Sequence, residues 1–128
     1  MMQDLEVPSY NPAQFTTPFV EKDPHGIDQH APGSKLDSGK QLAGVLLDFS
    51  RALSKVADIG TFGAQKYTRR GWEAVPNGEE RYTDAMVRHL LKHGQGEEFD
   101  PDHGIEHLAA VIWNACAALE LKLRREEA

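Results

Sequence analysis

Residues 103–125, HGIEHLAAVIWNACAALELKLRR, decide the fold of this chain. Apolar side chains recur in this stretch at steps of three and four residues: Ile105, Leu108, Ala109, Ile112, Ala115, Cys116, Leu119 and Leu123. This period matches the turn of an α-helix and not the two-residue alternation of a strand. The spacing therefore predicts an amphipathic helix from about His103 to Arg125.

Two upstream segments carry the same period. The segment from about Gln41 to Lys66 has an apolar stripe of Leu42, Val45, Leu46, Phe49, Leu53, Val56 and Ile59. The segment from about Glu79 to His93 has a stripe of Tyr82, Ala85, Met86, His89, Leu90 and His93. Three helices joined by short loops predict an all-α fold, a small antiparallel bundle. Three amphipathic helices seldom complete a bundle cross-section alone, so we expect oligomerisation with further copies of the chain.

The segment before Lys40 is punctuated by proline. The residues that prevent a helix of useful length there are Pro8, Pro12, Pro18, Pro24 and Pro32. We therefore divide the chain into a proline-rich extended arm, residues 1–38, and a helical domain, residues 39–128. The arm also carries four large side chains, Tyr10, Phe15, Phe19 and Val20. We expect these side chains to pack on the helical domain or on a neighbouring subunit.

The composition excludes several classes of protein. A length of 128 residues leaves room for one compact domain. The net charge of -6 argues against a protein that binds duplex nucleic acid mainly through its phosphates. The apolar runs are too short to cross a bilayer, and the first residues lack a secretory signal. Because the single cysteine, Cys116, fits a reducing compartment, we expect a cytoplasmic protein without a membrane partner.

Histidines and carboxylates cluster around the turn between the second and third predicted helices. His89 and His93 lie one helical turn apart, as do His103 and His107. Imidazoles bind transition metals and carboxylates bind hard cations, so this region predicts a site for a divalent ion, Mg²⁺ or Mn²⁺. The predicted metal ligands are His89, His93, Asp100, Asp102 and His107. The alternative is that the histidines are partly buried and hydrogen-bonded across the bundle, while the nearby glutamates are solvated.

The loop after the first predicted helix is basic, although the chain as a whole is acidic. Its basic and aromatic residues are Lys66, Tyr67, Arg69, Arg70 and Trp72. Cationic groups neutralise phosphates and aromatic rings stack on bases, so this cluster favours a nucleotide ligand. We therefore interpret residues 39–128 as a nucleotide-binding domain. The alternative is that Tyr67 and Trp72 merely cover one end of the bundle.

Two further polar residues fit this hypothesis. Asn114 places an amide in the middle of an apolar helix, where it needs partners in a buried network, a ligand's base or a metal-bound water. Arg88 lies one turn after Asp84, so it forms either a surface ion pair or a contact with a phosphate.

A series of short motifs in fixed order resembles a known family. The motifs are Asp37-Ser38-Gly39-Lys40, Gly63-Ala64-Gln65-Lys66-Tyr67, Gly71-Trp72, Arg88-His89-Leu90, Gly96-Glu97, Asp100-Pro101-Asp102-His103-Gly104 and His107-Leu108-Ala109 followed by Asn114. The series resembles phage-encoded dATP/dGTP diphosphohydrolase N-terminal domains, small helical proteins linked to the MazG-like nucleotide pyrophosphohydrolases. The resemblance covers about Lys35 to Leu121.

The resemblance implies a metal-dependent enzyme that cleaves purine deoxynucleoside triphosphates to monophosphate and pyrophosphate in the cytoplasm of an infected bacterium. In this interpretation the catalytic residues are His89, Asp100, Asp102 and His107. The substrate-binding residues are Lys66 and Arg88 on the phosphates, Tyr67 or Trp72 on the base, and Asn114 on the base or a metal-bound water.

The chain departs from the glutamate pattern of MazG-like enzymes. Glu79, Glu80 and Asp84 do not have the spacing of that pattern, and Glu106 has no aspartate three residues later. Either a different set of residues holds the metal, or the chain is a non-catalytic phage protein that binds a nucleotide or sequesters a nucleotide signal. A third hypothesis is a structural assembly protein whose arm wraps a neighbour.

Overall fold

The computed structural model describes residues 21–128. Its helices are α1 (Ser50–Lys66), α2 (Gly78–Gly94) and α3 (His107–Glu127), with short 3-10 helices at Ala43–Phe49 and Gly71–Ala74. The described residues contain no β-strand, only an isolated bridge between Phe99 and Glu106. This confirms the predicted all-α class with three main helices. Oligomerisation remains a prediction, and Tyr10, Phe15, Phe19 and Val20 lie outside the described residues.

The chain divides into two compact units with the boundary between Val45 and Leu46. In the first unit the backbone N–H of Ser38 donates to the carbonyl of Lys22 at 3.1 Å, so the two ends of this segment meet. The buried carboxylate of Asp23 accepts backbone N–H bonds from His25 at 2.7 Å and from Lys35 at 2.9 Å. The Lys35 bond is the main cause that lowers the pKa of Asp23. Residues 22–38 are therefore looped around Asp23 and not extended as predicted.

The first predicted helix is α-helical only from Ser50 onwards. The preceding residues, Ala43–Phe49, form a 3-10 helix whose side chains are all exposed. Exposed side chains gain little from packing, and Gly44 lowers the helix propensity of the segment. Of the seven apolar residues on the predicted stripe, Ile59 is buried, where it packs with Ala109 and Ala110 of α3.

Helices α2 and α3 pack against each other in antiparallel orientation. His89, towards the end of α2, contacts His107 at the start of α3. Gly78 at the start of α2 approaches Leu121 so closely that an added Cβ would lie 2.6 Å from the Leu121 Cδ1 atom. This pairing brings the imidazoles of His89 and His107 together between the two helices.

Helix α3 begins at His107, four residues later than the sequence predicts. Gly104 has a φ of 74°, which reverses the chain before the helix starts. The N–H of Gly104 donates to the Asp100 carbonyl at 2.7 Å, and the N–H of His107 donates to the Glu98 carbonyl at 2.8 Å. The prediction that His103 and His107 lie one helical turn apart is therefore wrong, since His103 belongs to the turn.

No helix within residues 21–128 is both long enough and apolar enough to span a bilayer.

Candidate functional site

Three predicted ligands meet where the turn 97–106 joins α2 to α3. His89 comes from α2, Asp100 from the turn, and His107 is the first residue of α3. The His89 Nδ1 and His107 Nδ1 atoms lie 2.8 Å apart. The Asp100 Oδ2 atom lies 3.7 Å from His89 Nδ1 and 3.9 Å from His107 Nδ1. These three residues form the group that we call the His-Asp trio.

The spacing of the trio fits a transition-metal ion. The circle through three atoms with these separations has a radius of about 2 Å, which is close to the usual length of zinc–nitrogen and zinc–carboxylate bonds. Two imidazoles and one carboxylate are also a donor set found in metal enzymes. Without an ion, the same two Nδ1 atoms are close enough for one N–H···N hydrogen bond.

One hydrogen bond fixes the Asp100 carboxylate, and the His103 ring lies near its other oxygen. Its Oδ1 atom accepts the backbone N–H of Asp102 at 2.8 Å, which leaves Oδ2 to face the imidazoles. The His103 Nε2 atom lies 3.8 Å from Oδ2, and the His103 Nδ1 atom accepts the N–H of Ile105 at 3.1 Å. Because Nδ1 accepts, neutral His103 carries its proton on Nε2, on the side of the carboxylate.

His107 has an unmatched nitrogen on the far side of its ring. Its side chain is almost fully buried, and Nε2 has no hydrogen-bond partner within the described residues. The nearest carboxylate oxygen there is Glu97 Oε2, at 3.6 Å. Histidines that bind metals usually donate their second N–H to a carboxylate, which fixes the ring. Glu97 is therefore placed to orient His107.

Burial lowers the pKa of His89, against the opposing effect of the Asp100 carboxylate. A lowered pKa keeps the imidazole neutral, and the neutral form is the one that binds metals. The environment of the trio thus favours the ligand form of His89.

The other two predicted ligands lie outside the trio. His93 borders a groove of about 440 Å³ between α1 and α3, together with Lys55, Glu98 and Glu106. The Lys55 ammonium lies 3.6 Å from Glu106. The Asp102 carboxylate is exposed and pairs with the Lys66 ammonium at 3.2 Å. The structure therefore does not bring His93 or Asp102 to the ligand atoms of the trio.

Lys66 and Tyr67 lie at the end of α1, and Lys66 contacts the turn that carries Asp100. The hydrogen bond to Asp102 is the main cause that raises the pKa of Lys66. The Lys66 ammonium lies 5.5 Å from the centre of the Tyr67 ring, and that ring is exposed. Because the backbone N–H of Asp102 donates to Asp100, Lys66 is linked to the trio through Asp102, and the Tyr67 ring lies next to Lys66.

Trp72 lies in a different environment. The Trp72 ring makes an edge contact with the Trp113 ring, with 6.3 Å between the ring centroids. The Arg124 guanidinium carbon lies over the Trp72 ring, 5.3 Å from its centroid. Arg124 is near the far end of α3, roughly 25 Å along the helix from His107 at its usual rise. Trp72 therefore packs against Trp113 and Arg124, whereas the alternative placed it, together with Tyr67, over one end of the bundle.

Asn114 and Arg88 also lie apart from the ligand atoms. Asn114 is buried and donates from Nδ2 to the Ala110 carbonyl of its own helix at 2.8 Å. It lies roughly 10 Å along α3 from His107, too far to contact a metal-bound water directly. Arg88 is exposed on α2 and, within residues 21–128, forms no ion pair with Asp84.

The sequence is similar to known proteins of one family. The sequence matches the family described as dATP/dGTP diphosphohydrolase, N-terminal, over residues 30–128. The chain belongs to this family. It is also 35% identical over 77 residues to a dATP/dGTP diphosphohydrolase of Salmonella phage PMBT28. That match covers 60% of this chain and 25% of the phage protein, so the chain spans only part of the length of this relative. No solved structure gives a significant match.

The residues matched by the dATP/dGTP diphosphohydrolase N-terminal family include all three residues of the trio. The structure also shows two contacts that the sequence did not predict. These contacts are Glu97 beside His107 and His103 beside Asp100. The sequence offered one usable signal, the glycine at position 104, because a glycine in the first turn of a predicted helix suggests a later start. The position of Glu97 depends on the backbone pairing of residues 98–107, which no local spacing reveals.

Proposed function

We propose that this chain is a metal-dependent hydrolase that cleaves purine deoxynucleoside triphosphates to the monophosphate and pyrophosphate, and that it acts in the cytoplasm. The observation that carries the proposal is the convergence of His89 Nδ1, His107 Nδ1 and Asp100 Oδ2. The family description and the phage relative point to the same class of reaction. No part of this proposal depends on His93.

The trio would hold the divalent ion, and its donors favour Mn²⁺ over Mg²⁺. Mg²⁺ prefers an octahedron of oxygen ligands, whereas two of the three donors here are imidazole nitrogens. The unmatched His107 Nε2 and the nearby Glu97 carboxylate support a ligating ring. Such an ion supplies positive charge that polarises a phosphoryl oxygen.

The exposed residues next to the trio would bind the rest of the nucleotide. Lys66 neutralises phosphate charge after leaving Asp102, and Arg88 does so from the exposed surface of α2. The freed Asp102 carboxylate accepts a proton from the attacking water. Tyr67, whose ring is exposed beside Lys66, stacks on the base in place of Trp72.

The direct test measures pyrophosphate release from dGTP and dATP with Mn²⁺, with Mg²⁺ and with EDTA. We expect release with Mn²⁺, less with Mg²⁺ and none with EDTA. His89→Ala and Asp100→Ala should abolish release, whereas His93→Ala, one helical turn away, should retain it. Release that persists in EDTA, or that is lost equally in all three variants, would contradict the metal assignment.

A second candidate is binding without hydrolysis. The observation that favours it is the 2.8 Å separation of the two Nδ1 atoms, which a hydrogen bond explains without an ion. In that case Lys66 and Tyr67 would still hold a nucleotide. Calorimetry with dGTP in EDTA, followed by recovery of the ligand, separates the two functions. Tight binding with intact dGTP recovered after incubation with Mn²⁺ would replace the hydrolase with a sequestering protein.

A further inference from the structure

His103 is a largely buried histidine that lies beside the His-Asp trio but outside it. Only 9% of its side chain is exposed, although it belongs to the turn between α2 and α3 and not to a helix. The Phe62 ring of α1 packs edge-on against the His103 ring, with 4.9 Å between the centroids. Buried side-chain nitrogens usually have hydrogen-bond partners, so each nitrogen of this ring calls for one.

The two nitrogens of His103 face different groups. Nδ1 accepts the backbone N–H of Ile105 at 3.1 Å, and this bond lies within the turn itself. Neutral His103 therefore carries its proton on Nε2, which lies 3.8 Å from the Asp100 Oδ2 atom. Oδ2 is the oxygen that Asp100 directs at the imidazoles of the trio. The His103 ring thus connects the backbone of the turn to a proposed metal ligand.

We propose that His103 is a positioning residue, whose Nε2–H group donates to Asp100 Oδ2 and holds this oxygen towards the metal ion. The inference rests on the proposed function, since it requires an ion in the trio. The other oxygen of the carboxylate, Oδ1, already accepts the N–H of Asp102 at 2.8 Å. A donor to each oxygen stops the carboxylate from rotating. Oδ2 still keeps a lone pair for the ion, because a carboxylate oxygen accepts at two sites.

The separation between Nε2 and Oδ2 shows which partner has to move. At 3.8 Å it is about 0.8 Å longer than a usual hydrogen bond, so the bond needs a small shift of one side chain. The His103 ring is fixed by Phe62 and by the Ile105 N–H. Rotation of the Asp100 side chain therefore closes the gap, and catalytic hydrogen bonds commonly tighten in this way when the ligand binds.

Two substitutions separate the roles of the two His103 nitrogens. The amide oxygen of His103→Asn lies near the position of Nδ1, so this variant keeps the acceptor for Ile105 and loses the donor to Asp100. The amide N–H of His103→Gln lies near the position of Nε2, so this variant keeps the donor and loses the acceptor. Calorimetry measures Mn²⁺ binding, and urea denaturation in EDTA measures the stability of each variant. His93→Asn is the matched control, because it makes the same change outside the trio.

We expect His103→Asn to unfold at the same urea concentration as the wild type and to bind Mn²⁺ about 10–100-fold more weakly. His103→Gln should unfold in less urea but bind Mn²⁺ more tightly than His103→Asn does. His93→Asn should bind Mn²⁺ like the wild type.

A merely structural role of His103 predicts that Mn²⁺ affinity follows stability, with tight binding in His103→Asn and weak binding in His103→Gln. That result, or equal affinities in the two variants, would overturn this inference alone. If His103→Gln does not fold, His103→Asn decides by itself: wild-type affinity contradicts the positioning role, and weaker binding supports it. A wild type that binds no Mn²⁺ would instead overturn the proposed function together with the inference.

Discussion

The two faces of α3 have opposite relations between polarity and burial. On the side that faces α2, His107 is 1% exposed and Asn114 is 7% exposed, and both are polar. On the opposite side, the leucines and Ile112 are exposed. A buried polar group costs about 1–3 kcal/mol unless it finds a partner. The Asn114 amide has the Ala110 carbonyl as its partner, and the His107 Nδ1 atom has the imidazole of His89, whereas the His107 Nε2 atom has no partner within the described residues.

We therefore assign different tasks to the two faces of α3. The face towards α2 carries His107, to which we assign a role in metal binding, and the opposite face leaves its apolar side chains exposed. Removing apolar surface from water stabilises a protein by about 25 cal/mol for each Å². Covering the exposed leucines of α3 would therefore add more stability than further burial on the face towards α2, which is already covered. We expect substitutions on the first face to change metal binding and substitutions on the second face to change assembly.

The largest effect is expected for His107→Ala. Removal of this ligand should weaken Mn²⁺ binding by more than about 100-fold, because loss of an outer contact alone costs about 10–100-fold. His93→Ala, on the same stripe of α2 as His89 but outside the trio, should bind Mn²⁺ like the wild type. Calorimetry with Mn²⁺ measures both. Equal losses in the two variants would show that the polar face of α2 acts as a whole and not through the trio.

Glu97→Ala should weaken Mn²⁺ binding by about 10–100-fold through the orientation of His107. Glu97→Gln should recover part of this loss, because its amide oxygen can still accept a hydrogen bond from the His107 Nε2–H group. The matched control is Glu98→Ala, since the neighbouring Glu98 side chain lines the groove and not the trio. If Glu97→Ala binds Mn²⁺ as tightly as Glu98→Ala does, Glu97 has no part in holding His107.

The sequence predicted the helices and their periods but not which faces are covered. The period places Leu108, Ile112 and Leu119 on one stripe, and a local pattern cannot show whether the cover for that stripe lies within the chain. The trio illustrates the other limit. His89 and His107 were identifiable as candidate ligands from their residue type and position. Their spacing could not show that the Asp102 carboxylate pairs with Lys66 or that His93 borders the groove instead of the trio. Contacts between side chains that are distant in sequence require coordinates.

The next expected effect tests the packing of the buried face. Ala110 of α3 is 2% exposed and packs with Ile59 of α1. Ala110→Leu should therefore lower the free energy of unfolding by about 1–3 kcal/mol through overpacking. Ala57→Leu on the exposed side of α1 should change it by less than about 0.5 kcal/mol. Urea denaturation at one protein concentration compares the two variants without interference from assembly. A small effect at Ala110 would mean that this face tolerates more volume than its burial implies.

The smallest expected effect concerns the third side of α3, which faces α1 through Trp113. Gly63→Ala in α1 should raise the free energy of unfolding by about 0.5–1 kcal/mol, because alanine favours the helix and the added Cβ meets nothing within 4 Å. Gly60→Ala gains the same propensity, but its Cβ would lie 3.2 Å from Trp113 Nε1. We therefore expect a smaller gain or a loss at position 60. Since both glycines lie in the same helix, the difference between the two variants in urea isolates the contact with Trp113. Equal gains would show that the indole moves freely, and the α1 side of α3 would then resemble its exposed face more than its buried one.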